Sequence, residues 1–479
     1  MLSIRSTAVV AFALLIPGAA TAEEPPLREQ AAEALKRGGA FFRSEVSTEG
    51  GYLWRYSEDL ETREGEGRAG KSTAWVQPPG TPSIGLAFLS AWEATGDMEY
   101  LEAARETAMA LVRGQLQSGG WDYRIEFDPE DRRRYAYRVD GAAGPKARNT
   151  STLDDNTTQA ALRFLMRTDQ ALDFEDALIH DAVEFALTSL LRAQYPNGAW
   201  PQRFDAPPNP AEFPVLPASY PEQWSRTHPS DDYRGFYTLN DNSQADTLDT
   251  MLLASSLYHD PQYKEAAARG GDFLILAQMP DPQPAWAQQY NLYMHPAWAR
   301  RFEPPSVTGG ESIGAMRSRF TVYRATGNPK YLEPIPRALE YLRESRLPDG
   351  RLARFYELQT NRPLYFNKEY ELTHSDADMP THYAFKVADR TDAIARQYER
   401  LSEGPAPESE TPARPRLTSG LESETQQIIN DQDENGRWIE SGRLRYHGDD
   451  APTRRVIDSR TFIKNVETLS RYLRASRPE

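Results

Sequence analysis

A chain of 479 residues with 39% hydrophobic and 11% aromatic content has apolar material for a large core, in one big domain or two. Its formal net charge of -15 excludes the basic footprint of a nucleic-acid binder, and a protein so acidic must cluster its arginines or recruit a cation to hold a polyanion. It has no cysteine, which excludes a disulfide framework, a thiolate zinc site and a thiol nucleophile, and its seven histidines never fall at H-x-x-x-H spacing.

Residues 1–22 read as a signal peptide. Arg5 supplies the positive charge, Ala8 to Ile16 is an apolar run too short for a permanent anchor, and Ala20-Thr21-Ala22 is an A-x-A cleavage site before Glu23. A buried N-terminal helix is the alternative. No later run is long enough to span a membrane. The expectation is a secreted or periplasmic protein, cleaved after Ala22 and monomeric, with no membrane or nucleic-acid partner.

One pattern, Q-x-x-x-G-x-W, recurs at Gln115 to Trp121, Gln194 to Trp200 and Gln432 to Trp438, with a degenerate copy from Arg346 through Gly350 to Leu352. A second lies upstream: Ala94-Thr-Gly-Asp-Met-Glu-Tyr100-Leu-Glu resembles Ala325-Thr-Gly-Asn-Pro-Lys-Tyr331-Leu-Glu, and His259-Asp-Pro-Gln-Tyr263 is a third copy. The Gly-Asp and Gly-Asn pairs are helix C-cap chemistry, so each copy marks the turn of a helical hairpin. First helices are expected to begin near Pro82, Leu153, Asp241, Glu311 and Ala384, with partners over 98–114, 175–193, 261–277 and 330–345. The apolar spacing agrees, with Leu86, Leu89 and Trp92 at i, i+3 and i+6, and Ala161, Phe164 and Leu165 at i, i+3 and i+4.

Strand signals are sparse. Hairpins of this kind stack into an all-α fold, an (α/α) toroid or superhelix with irregular loops and a few short strands. In such a stack every first helix starts, and every second helix ends, at one face, where a groove is the expected binding site. The toroid is expected over 23–403, followed by a Pro/Glu-rich surface linker at 404–416 and C-terminal helices within 417–479 (417–432 and 459–474) that pack on it. Residues 204–236, rich in proline, and residues 126–150, rich in charge, read as irregular excursions.

Three groups of segments carry candidate chemistry. Thr152-Leu-Asp154-Asp155-Asn156 and Thr238-Leu-Asn240-Asp241-Asn242 each open a first helix. Their acidic and amide side chains suit either helix capping or a hard cation such as calcium. Trp286 to Tyr290 and Pro296-Ala-Trp298-Ala-Arg300-Arg301-Phe-Glu303 precede another first helix; the arginine pair is either solvated or fixed among its aromatic neighbours. Arg351 to Lys368, which includes Arg354, reads as a short hairpin that binds acidic sugars or covers the rim. Trp121, Trp200 and Trp298 are either sugar-stacking platforms or loop anchors.

Gln194-Tyr-Pro-Asn-Gly-Ala-Trp200-Pro-Gln202 resembles the Q-Y-P-N-G-G-W-P-Q signature of the pectic acid lyases, polysaccharide lyase family 10. The Thr152 and Thr238 segments, W-x-Q-Q at Trp286, P-A-x-A-R ending at Arg300, E-x-P-S at Glu303 and A-R-F-Y-[DE]-L at Ala353 resemble further motifs of that family, in order. Ser459-Arg-Thr-Phe-Ile-Lys-Asn465 resembles its closing helix, so the likeness covers residues 30–475. The resemblance implies an (α/α) toroid that cleaves polygalacturonate, an acidic polysaccharide, by calcium-assisted β-elimination. It implies Arg300 as the base that takes the C5 proton, and Asp154 and Asp241 as acidic groups beside the scissile bond and the metal; with Asp155 of the same acidic turn, Asp154 and Asp241 are the expected Ca2+ ligands. Arg301, Arg354, Lys368, Trp200, Trp298 and Gln202 are the expected substrate contacts. Lys368 stands where the family usually has arginine, which keeps the charge and loses the bidentate fork.

The C5 proton is α to a carboxylate and barely acidic, so a cation or arginine pair that neutralises that carboxylate removes several kcal/mol of barrier. Arginine serves as a base only where neighbouring positive charge disfavours its protonated form. Two other readings fit a toroid: a glycoside hydrolase acting on uronides through Asp154 and Asp155, and a non-catalytic protein that binds acidic polysaccharide.

Overall fold

The computed structural model describes residues 25–230, 232–404, 414–450 and 453–477. The expected signal peptide and most of the expected linker lie outside the described residues. Among those described, no helix is long and apolar enough to cross a membrane.

Thirteen α-helices account for the architecture among the described residues: α1 Leu27–Phe41, α2 Thr81–Thr95, α3 Met98–Gly114, the single turn α4 Pro129–Arg132, α5 Thr157–Ala171, α6 Ala177–Ala193, α7 Ser243–Tyr258, α8 Pro261–Leu276, α9 Gly309–Thr326, α10 Ile335–Glu344, α11 Thr391–Ser402, α12 Ser419–Asn430 and α13 Ser459–Ala475. Helices α2/α3, α5/α6, α7/α8 and α9/α10 are hairpins, and the turns of α2/α3, α7/α8 and α9/α10 are built as the repeat implied. Gly96 and Gly327 end their helices in the left-handed region, and Asp97 and Asn328 then cap the next with their side chains on the Glu99 and Lys330 amides. His259 takes the left-handed position in the third copy, followed by Asp260 as cap.

The first helices α2, α5, α7, α9 and α11 pack each against the next, and α13 packs against both α1 and α2. One hydrophobic core runs through all of them, from Ala31 to Ala475. The fold is therefore the expected α/α toroid of helical hairpins. Its strands are short, none longer than four residues among those described.

Two expected boundaries move. The helix placed near Ala384 starts at Thr391, because residues 386–387 are extended and pair with the hairpin as Ala353↔Lys386 and Leu352↔Val387. The helix placed at 330 starts at Ile335 after a tight turn over Pro329–Tyr331. Pro329 and Pro334 lack an amide hydrogen and fit only at a first turn or before it.

The Trp loops staple neighbouring hairpins. Gln115 Nε2 donates to Gly119 O within its own loop and to Ala182 O of α6, at 3.0 and 2.8 Å. Gln194 does the same with Gly198 O and Ala266 O of α8, and Gln432 with Gly436 O and Ala34 O of α1. The indoles of Trp121, Trp200 and Trp438 each donate to a carbonyl ten residues earlier: Leu111, Leu190 and Ile428. Gln278, bonded to Pro284 O and Pro334 O, with Trp286 bonded to Leu274 O, forms a further staple. It falls outside the Q-x-x-x-G-x-W pattern because Gln278 and Trp286 are spaced differently. At Gly198 a Cβ would lie 2.0 Å from Arg269 O on a backbone with φ +92, so only glycine fits.

Short strand pairs zip the entry of each first helix to the segment just after a Trp loop: Thr73–Trp75 with Arg124–Glu126, Ser151–Thr152 with Arg203–Phe204, and Tyr237–Thr238 with Gln289–Tyr290. That zipping brings the leads to α5 and α7 to the same end as the Trp loops.

Candidate active site

The turns that open α5 and α7 are near copies. Thr152 and Thr238 hydroxyls accept the Asp154 and Asn240 amides at 3.1 Å. Asp155 and Asn156, and Asp241 and Asn242, then take left-handed conformations with φ between +48 and +60. Such residues cost about 1 kcal/mol or more each, which marks the turns as held in shape by their surroundings. Asn156 and Asn242 occupy the N-cap positions and neither makes a capping hydrogen bond. The Asp and Asn side chains here therefore do not serve as caps.

The carboxylates converge instead. One oxygen from each of Asp154, Asp155 and Asp241 lies within 4.8 Å of the others. Each is oriented by a separate donor. Asp154 accepts from Tyr123 Oη at 2.7 Å and Gln202 Nε2 at 3.1 Å, and Asp155 accepts from Gln77 Nε2 at 2.9 Å. Asp241 accepts from its neighbour Asn240 at 2.6 Å and from Arg300 Nη2 at 3.2 Å. Burial, then the crowding by Asp154, pushes Asp155 up to about 6. Burial raises Asp241 to about 7, with Arg300 opposing and the two other aspartates adding to the rise. Three hard oxygen donors, preset by hydrogen bonds, fit a calcium ion with coordination positions left for other ligands.

Arg300 closes the other side. Its backbone amide and Nε donate to Glu303 Oε2 at 2.9 and 3.0 Å, and its Nη2 lies 3.0 Å from Glu303 Oε1. Glu303 is 1% exposed. Burial alone would favour the neutral guanidine, but Glu303 and Asp241 outweigh it and hold Arg300 above its ordinary value. Arg301, the adjacent positive charge and an expected substrate contact, points elsewhere: it donates to Glu369 O and lies over the Tyr370 ring.

Arg354 lines a cleft of about 200 Å³ with Asp241, Asn242, Gln244 and Glu311, so it faces the same space as the α7 turn. Its Nη1 meets Glu311 Oε1 at 3.2 Å and Tyr383 Oη at 3.0 Å, and its Nε donates to Ala384 O.

The other expected contacts divide. Trp200 is fully buried with its indole bonded inside its own hairpin, so it is a loop anchor and not a sugar platform; the Q-x-x-x-G-x-W staple needs the ring in the core. Trp298 is 7% exposed, donates to Ser225 O and borders a second cleft of about 280 Å³ with Trp224, His228, Phe236 and His295. Gln202 is nearly buried and supports Asp154. Lys368 is exposed and paired to Asp378 at 2.6 Å. The long 204–236 excursion reaches the Arg300 loop through His228 Nε2 on Ala299 O at 3.0 Å.

Glu303, Tyr123, Gln77, Glu311 and Tyr383 belong to the site and were not singled out for it. Glu303 carried a signal, since it sits in the same short motif as Arg300. Tyr383 carried none, being brought in only by pairing between the stretch before α11 and the hairpin.

Residues 115–320 match the model of the pectic acid lyase family. No curated protein matches the chain. Among solved structures, a family 10 polysaccharide lyase from Cellvibrio cellulosa is 17% identical, with a TM-score of 0.45 over 67% of this chain and 97% of that one. An aspartate-to-alanine mutant of it in complex with trigalaturonic acid gives the same figures. An α-1,6-mannanase of Salegentibacter is 10% identical, with a TM-score of 0.40 over 94% of this chain and 99% of that one.

Proposed function

We propose that this chain, a polysaccharide lyase by the pectic acid lyase family that its residues 115–320 match, cleaves α-1,4-polygalacturonate by calcium-assisted β-elimination with Arg300 as the base. The observation that carries the reading is the meeting of three carboxylates with one arginine: Asp154, Asp155 and Asp241 within 4.8 Å of one another, and Arg300 3.2 Å from Asp241. Pectic acid is itself a polyanionic uronan, so the family match agrees with an acidic polysaccharide as substrate.

Asp154, Asp155 and Asp241 would hold the calcium ion. Bound there, it supplies positive charge that neutralises the substrate carboxylate and lets an enolate-like charge develop at C5. Arg300 takes the C5 proton, and Arg354, on the wall of the Asp241 cleft, binds a uronate carboxylate. In the free protein Glu303 and Asp241 keep Arg300 charged, so the base role requires that the metal compete for Asp241 and that substrate close the site to water. The protein acts outside the cytoplasm, in keeping with the N-terminal signal read from residues 1–22.

A second reading rests on Asp241, whose rise to about 7 suits a general acid at neutral pH in a uronide hydrolase. One experiment separates them. Polygalacturonate is incubated with the protein, with calcium or with chelator, and ultraviolet absorbance is followed. The lyase reading requires calcium-dependent absorbance from an unsaturated product; reducing ends released without absorbance would replace it with hydrolysis.

A further inference from the structure

Five side chains from four separate segments form one hydrogen-bonded line. Arg300 Nη2 lies 3.0 Å from Glu303 Oε1, and Tyr383 Oη donates to that same oxygen at 2.9 Å. Arg354 Nη1 donates to Tyr383 Oη at 3.0 Å and reaches Glu311 Oε1 at 3.2 Å. The segments are the loop before α9, the first turn of α9, the hairpin around Arg354 and the stretch before α11.

Tyr383 is the joint of this line by chemistry as well as by position. An ionised carboxylate only accepts and a guanidinium only donates, so a group between them must do both. A phenol does, with its proton directed at Glu303 and its lone pair at Arg354. Burial, and then the Glu303 charge, raise the phenol well above its ordinary value, so it keeps that proton. Its ring is fixed independently of the hydroxyl: Phe302 lies 4.7 Å away, Phe385 5.4 Å away edge-on, and the Arg354 guanidinium 4.5 Å over its face.

We propose that Tyr383 is a positioning residue whose hydroxyl aligns the reacting Arg300, through Glu303, with the carboxylate-binding Arg354. The proposal rests on the function given above. Glu303 is nearly buried and fixes both the Nε and Nη2 edges of Arg300, so its own orientation sets the direction in which Arg300 faces substrate. The Tyr383 hydroxyl in turn sets the position of Glu303 relative to Arg354. Substrate held by its carboxylate on Arg354 is thereby brought to Arg300 in one register, which is the alignment that turnover needs and that ground-state binding alone does not.

The test is Tyr383→Phe in the full chain, which removes the hydroxyl and leaves every ring contact. With polygalacturonate at saturating calcium, kcat is expected to fall about 10-fold while KM changes less than about 3-fold. Arg354→Lys is combined with it. If the hydroxyl is the link, the kcat losses multiply to less than the product of the two single effects. A kcat within about twofold of the wild type, or fully multiplicative losses, would overturn the proposal. Should the variant fail to fold, a fluorinated tyrosine at position 383 weakens the hydroxyl as acceptor from Arg354, strengthens it as donor to Glu303 and makes it more acidic, and a kcat and a pH profile of kcat both identical to the wild type's overturn the proposal equally. If the wild type itself makes no unsaturated product, the function fails and the clamp is read separately in unfolding. The midpoint shifts of Tyr383→Phe and Glu303→Gln are expected to be less than additive, and additive shifts would sink the clamp.

Discussion

Arg300 Nη2 lies 3.2 Å from Asp241 Oδ2, which joins the loop ahead of α9 to the strained turn that opens α7. The contact puts a guanidinium at the edge of the place where a divalent cation fits. It also sets a competition, because Asp241 cannot give its full charge to both.

Arg300→Lys keeps the charge and loses the fork that Glu303 holds. Turnover is expected to fall by at least about 10²-fold, the size of general-base removal, with binding of galacturonate oligomers much less affected. Initial rates of unsaturated product over a substrate series separate the two. A loss confined to KM would make Arg300 a binding residue. Arg301→Lys beside it is expected to leave kcat within about threefold, since Arg301 faces Glu369 O and Tyr370.

Asp155→Asn removes one of three carboxylates without touching the Arg300 contact. Calcium affinity, measured by titration calorimetry, is expected to weaken by about 10-fold or more, and added calcium should restore part of the activity. Unchanged calcium affinity in a folded variant would take Asp155 out of the ligand set.

Trp200→Phe tests the anchor role. The indole bond to Leu190 O is buried, and leaving that carbonyl unmatched should reduce stability by about 1–3 kcal/mol in denaturant unfolding. KM for polygalacturonate should not change by more than about twofold. A large rise in KM with unaltered stability would return Trp200 to the substrate surface.

His180 gives a pH signature away from the site. Its Nδ1 lies 2.9 Å from the buried Asp169 carboxylate, and that hydrogen bond raises the imidazole above its ordinary value. A raised folded value means the protonated form is favoured in the native state. The contribution is fully present below the unfolded value of about 6.5 and is lost as pH rises through the folded one. His180→Gln is therefore expected to narrow the stability gap between pH 5.5 and pH 8 in urea unfolding, relative to the wild type. An identical pH profile for both proteins would show that the pair contributes nothing.

The local sequence by itself determined the hairpins and most of their boundaries. Gly96-Asp97 and Gly327-Asn328 carry C-cap and N-cap chemistry within a few residues, and the apolar spacing of Ala161, Phe164 and Leu165 marks the buried face of α5, whereas of Leu86, Leu89 and Trp92 in α2 only Leu89 is fully buried. The three Q-x-x-x-G-x-W loops were legible for the same reason, since each indole bonds a carbonyl of its own helix. The acidic turns at Asp154 and Asp241 were visible as candidates, but capping and metal binding need the same residue types. Only the tertiary structure set capping aside, by leaving the cap positions unused and placing Gln77, Tyr123 and Gln202 on the carboxylates. It alone sent Arg301 away from Arg300 and brought Tyr383 between Glu303 and Arg354. Those outcomes depend on contacts between residues tens of positions apart, formed when hairpins stack and strands pair. Neither helix periodicity nor cap chemistry, which act within a turn or two, encodes such contacts.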